Sequence, residues 1–69
     1  MMTWKGALLP PGQAAIIKSF RAHGADSIYA ASDIMDLRVC YAMVEKGILQ
    51  RMKGDAPHFE LTPAARGVF

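Results

Sequence analysis

Very little in this chain suits redox, metal or membrane chemistry. Cysteine occurs once, as Cys40, so no internal disulfide can form. Its place on an apolar helical stripe marks it as a reduced, buried thiol of a cytoplasmic protein. The other soft metal ligands are His23 and His58, and no two of the three stand at paired ligand spacing. No run approaches the about 20 apolar residues of a membrane span. The longest uncharged stretch, Gly6 to Ile17, is broken by Pro10-Pro11-Gly12. Lys5 followed by Ala7-Leu8-Leu9 imitates the start of a signal peptide, but the apolar part is too short and no cleavage site follows.

Catalytic groups are equally scarce. Ser19, Ser27 and Ser32 have no base arranged around them. Asp33 and Asp36 form the one carboxylate pair, better explained as competing helix caps than as an acid and a base. The six glycines mark breaks between elements rather than a loop that cradles phosphate. The expectation is a protein that is not an enzyme and takes neither metal nor cofactor.

Charge of one sign is in only slight excess: the net charge is +2 and the pI about 9.0. The position of the cations therefore matters more than their sum. Apolar residues are abundant, at 52% of a chain of 69. A chain this short buries a modest core, so some apolar surface is expected to be covered by a partner, most simply in a homodimer. One small domain is expected over residues 1–69, with no separate effector domain. Residues 1–9 form an arm whose Trp4, Leu8 and Leu9 pack back on the body.

Periodicity and capping signals organise the rest. Pro10-Pro11-Gly12 suits a helix entrance, Ala15-Ile16-Ile17 and Phe20 give one apolar face, and Gly24 a stop, so a first helix is predicted over 11–23. Asp26 or Ser27 can cap a short second helix over 27–33, with a turn at Ile34-Met35. A third helix is predicted over 36–46. It carries Leu37, Cys40, Tyr41, Val44 and then Ile48 as an inward stripe, with Arg38, Ala42 and Glu45 pointing away. Gly47 ends it, and Ile48 folds back on Met43 as in a Schellman ending. A hairpin follows. Leu49, Arg51 and Lys53 share one side of the outgoing strand, Gly54-Asp55-Ala56-Pro57 make the loop, and Phe59 and Leu61 alternate with His58, Glu60 and Thr62 on the return. Thr62-Pro63 is a helix start, leaving room for a turn or two.

This order, with the phrases Glu45-Lys46-Gly47-Ile48-Leu49-Gln50-Arg51 and Phe59-Glu60-Leu61-Thr62-Pro63, resembles the small bacterial and phage winged helix-turn-helix regulators of the MarR-like superfamily. The likeness covers about Ala25 to Gly67. It departs from the family in a compressed second-to-third helix segment, an acidic opening to the third helix, and the lack of long terminal dimerisation helices. The resemblance implies a mainly α fold with a small β-hairpin, ordered α1-α2-α3-β-β with a short C-terminal helical turn.

In function it implies sequence-specific binding of double-stranded DNA by a cytoplasmic transcription regulator, held on the nucleoid when bound. The third helix would lie in the major groove with Arg38 reading a guanine edge, and Met35 and Ala42 touching thymine methyls. Arg51, Lys53 and His58 on the hairpin would hold phosphates, with Lys18 and Arg21 of the first helix as accessory contacts. Each residue also has a plainer role: Arg38 can pair with Asp36, Met35 can fill the turn, and the hairpin cations can guard an edge strand. A module of the same fold that docks a protein, using Trp4, Leu8, Leu9 and Phe69 beside Asp33 and Asp36, is the alternative function.

Overall fold

A computed structural model describes residues 2–69. Element order is β1 (Thr3–Trp4), β2 (Ala7–Leu8), α1 (Pro11–His23), β3 (Tyr29–Ala30), α2 (Ile34–Glu45), β4 (Leu49–Arg51), β5 (His58–Leu61) and α3 (Pro63–Arg66). The strands make two antiparallel sheets, the pair β1-β2 and the three-stranded β3-β5-β4. The chain is therefore an α+β protein, and the mainly α helix-turn-helix with a terminal hairpin is overturned.

Two segments cause the difference. The arm is a hairpin, turned by Lys5 at φ 50° and Gly6 at φ 83°, the paired left-handed conformation of a tight two-residue connection. Trp4 is thereby buried, whereas Leu8 faces solvent with 62% of its surface exposed, against the expectation that it packs inward. The second predicted helix does not exist. Tyr29 and Ala30 pair instead with Phe59 and His58 of β5. Ser27, expected as a helix cap, hydrogen-bonds back to the Gly24 carbonyl at 2.6 Å and closes the end of α1. An aromatic at 29 fits a half-buried pleated surface, and the Tyr29 ring lies 6.1 Å from that of Phe20.

With that helix gone, α2 starts two residues earlier than expected, at Ile34. Asp33 is its N-cap, accepting the Asp36 amide at 2.8 Å. Asp36 reaches back in turn to the Ser32 amide at 2.9 Å, so the two acids split the capping work rather than compete for it. Lys46 caps the other end, Gly47 stands at φ 83°, and the Gly47 and Ile48 amides bond the Val44 and Met43 carbonyls. That is the Schellman pattern, and Ile48 and Met43 are both fully buried.

The core lies between α1, α2 and the inner face of the larger sheet. Ile17, Phe20, Cys40, Met43, Ile48, Leu49, Phe59 and Leu61 are essentially inaccessible. Cross-strand register sets Leu49 opposite Leu61 and Arg51 opposite Phe59, so those four side chains share the inner face. Thr62 ties the end of the sheet to the end of α2: its hydroxyl donates to the Gly47 carbonyl at 2.6 Å and accepts the Ala65 amide at 3.2 Å, capping α3. Among the described residues no helix is long and apolar enough to cross a membrane.

Candidate nucleic-acid interface

The outward face of α2 follows from its 3.6-residue period. Cys40 and Met43 are turned into the core, so Ile34, Arg38, Tyr41 and Glu45 must share the opposite side, with Met35 on its flank. Their exposure agrees: Ile34 is 69%, Met35 67% and Tyr41 44% accessible. Tyr41 was expected on the inward stripe. Its ring instead rests edge-on against Phe59, with centroids 5.6 Å apart, which covers Phe59 while leaving the tyrosine surface open.

This contact links the helix to the hairpin. Arg38 and Tyr41 stand three residues apart on α2, where side chains are neighbours. Tyr41 covers Phe59, and Phe59 faces Arg51 across the β4-β5 pair. The Met52 amide bonds the His58 carbonyl, which makes Arg51 and Phe59 a non-hydrogen-bonded pair, the kind with closer side chains. One strip therefore runs from Arg38 over Tyr41 to Arg51, and Lys53 lies exposed where the chain turns beyond it.

The cations of the strip carry no carboxylate partner. Among the described residues the ion pairs all belong to Arg66, which meets Asp26 at 3.4 Å and Glu60 at 3.6 Å. Asp36, the expected partner of Arg38, is engaged elsewhere. Its carboxylate accepts the Tyr29 hydroxyl at 2.9 Å and 3.0 Å and the Ser32 hydroxyl at 3.2 Å. Burial, reinforced by that hydrogen bond to Asp36, pushes the Tyr29 phenol up to about 12, so it stays a donor. Burial likewise raises the Cys40 thiol to about 11, with Asp36 adding to it. A protonated, inaccessible thiol is neither a nucleophile nor a metal ligand.

Other expected site residues fall elsewhere. His58 pairs with Ala30 and alternates with Phe59, so it lies on the outer face of the sheet, away from Arg51. Ala42 is half-buried. Lys18 and Arg21 sit on α1 along a groove lined also by Leu8 and Val68, to which neither α2 nor β4-β5 contributes. The strip thus keeps Arg38, Met35, Arg51 and Lys53 of the expected residues and adds Ile34 and Tyr41. No three His, Cys, Asp or Glu side chains gather as a metal site among the described residues.

No protein-family model matches this chain, and no match is found among curated proteins or solved structures.

Proposed function

We propose that the protein binds double-stranded DNA through the outward face of α2 and the adjoining β4-β5 hairpin. The observation that carries this reading is the continuous strip Arg38–Tyr41–Phe59–Arg51, whose cations, with Lys53 beyond them, make no ion pair among the described residues, although Glu45 shares the face. In this reading α2 enters the major groove. Arg38 presents a guanidinium to a guanine edge, and exposed Ile34 and Met35 offer apolar contact to thymine methyls. Arg51 and Lys53 meet phosphates, which fixes register without reading sequence. The inward commitment of Asp36 removes the charge that would most directly repel the backbone.

Selection from a randomised duplex pool tests this. Enrichment of a defined motif by the wild-type protein, lost or degenerate at one position with Arg38→Ala, is the expected result. A pool that stays random over successive rounds would refute the reading.

A second reading is favoured by the size of the apolar exposure. Ile34, Met35 and Tyr41 lie on one side of a helix that also bears one arginine, a composition suited to the centre of a protein interface. A homodimer or another protein would then cover this face. Sedimentation at increasing concentration separates the two, because self-association abolished by Met35→Glu supports docking over DNA.

A further inference from the structure

A groove of about 570 Å³ opens on the far side of α1, between the β1-β2 hairpin, α1 and the C-terminal residues. Leu9 and Phe69 lie within it and are largely covered, whereas Leu8 and Val68 are each 62% exposed. Register explains the split in the hairpin: Trp4 pairs with Ala7, and Thr3 with Leu8. Leu8 therefore points to the face opposite buried Trp4. Lys18 and Arg21 line the groove from α1.

The charge here is uncompensated. Residues 1–25 contain three cations, Lys5, Lys18 and Arg21, and no aspartate or glutamate, whereas residues 26–69 hold all six acids against five cations. No helical neighbour on α1 can therefore screen Lys18 or Arg21, and neither makes an ion pair among the described residues. A groove of mixed polar and apolar lining, with two unpaired cations on α1 beside Leu8 and Val68, suits an occupant carrying the complementary pattern, carboxylates beside large apolar groups.

We propose that this groove receives an acidic, amphipathic segment of a partner protein, its carboxylates against Lys18 and Arg21 and its apolar side chains between Leu8 and Val68. A phosphodiester backbone would leave the leucine and valine uncovered. A bilayer surface needs protruding apolar groups, and these flank a concavity. A twofold contact with a second copy would set Lys18 and Arg21 against themselves. The volume is that of a small-ligand pocket, which fits a short segment rather than a whole domain face. The groove shares no residue with the strip on α2, so this inference stands apart from DNA binding.

Trp4 gives the readout. It is the sole tryptophan, and its ring stacks on Phe69 at 5.8 Å. The probe is a short tryptophan-free peptide of Glu, Asp, Leu and Phe, compared with its Gln and Asn counterpart. The acidic peptide shifts Trp4 emission saturably, and K18E/R21E weakens it about tenfold or more, the scale of losing charge-assisted bonds. Leu8→Ser, at an exposed position, weakens both peptides, and Arg38→Ala changes neither. Equal affinity for the acidic and amide peptides overturns the proposal, as does no binding of the acidic one. A larger Trp4 response to phosphatidylserine vesicles, or displacement of the peptide by duplex DNA, overturns it as well.

Discussion

The indole nitrogen of Trp4 donates a 2.9 Å hydrogen bond to the backbone carbonyl of Lys46, across 42 residues of chain. That carbonyl belongs to the end of α2, where the last carbonyls have no N–H donor within the helix. The N-terminal hairpin thus closes the helix that carries the candidate interface. The Lys46 ammonium reinforces the junction by donating to buried Gln13 of α1 at 2.8 Å.

Trp4→Phe keeps most of the buried ring and removes the donor. Its expected cost is about 1 kcal/mol, the net value of one hydrogen bond. Trp4→Ala also removes the packing and costs about 3–5 kcal/mol. Urea denaturation reads both as a lower midpoint, with the slope unchanged if the unfolded state is unaffected.

Two glycines should respond to alanine with opposite signs. Gly47 sits at φ 83°, where a Cβ costs about 1–2 kcal/mol. Gly12 lies inside α1 with ordinary backbone, and an added Cβ would meet the Val39 methyls at 3.7 Å and 3.8 Å, normal contact. Gly12→Ala is therefore expected to stabilise by about 0.4–1 kcal/mol through the unfolded chain. Thermal melts of the two variants check the pair.

Much of this architecture is readable from residue order, where a signal is local. Pro11 and Gly24 bracket α1, Gly47 with Ile48 ends α2, and Thr62-Pro63 starts α3, each through residues adjacent in sequence. What escapes is decided by distant partners. Tyr29-Ala30 is too short to show alternation, and its strand character comes from β5, nearly 30 residues away. Asp26 and Ser27 look like a helix cap until Ser27 turns back to Gly24 and Asp26 meets Arg66. The same error shifts the start of α2 and hides how exposed Ile34 is. Of the candidate site, Arg38 is legible from helical period alone. Tyr41 follows from the same period once Cys40 and Met43 are taken as the inward pair, but its rest on Phe59 exists only once the sheet has formed.

Burial of the Tyr29 phenol, reinforced by its hydrogen bond to Asp36, makes stability depend on alkaline pH. A phenol raised from 10.0 to about 12 on folding holds its proton more tightly in the native state. Its contribution is complete below pH 10 and is lost as pH rises toward about 12. Comparing wild type with Tyr29→Phe cancels the titration of other groups. The stability difference is expected to be constant below pH 10 and to narrow above it. A difference that persists undiminished near pH 12 would contradict the assignment.

On DNA, the members of the strip should separate by type of effect. Arg38→Ala is expected to cost about 1–3 kcal/mol on a selected site and to relax preference at one base. Lys53→Ala should weaken all sequences alike. Lys18→Ala and Arg21→Ala, on the groove side of α1, should leave DNA affinity nearly unchanged. Parallel titrations of selected and scrambled duplexes resolve the three patterns.

The most direct test of the central claim is fluorescence anisotropy of a labelled duplex of about 25 base pairs, titrated with protein over a range of salt. Each phosphate neutralised contributes a slope of about −0.9 in log K against log salt, so Arg51 and Lys53 together predict about −2. The slope should fall by about one in Arg51→Ala. Absence of binding at low salt, or a slope that Arg51→Ala leaves unaltered, would contradict DNA recognition by this strip.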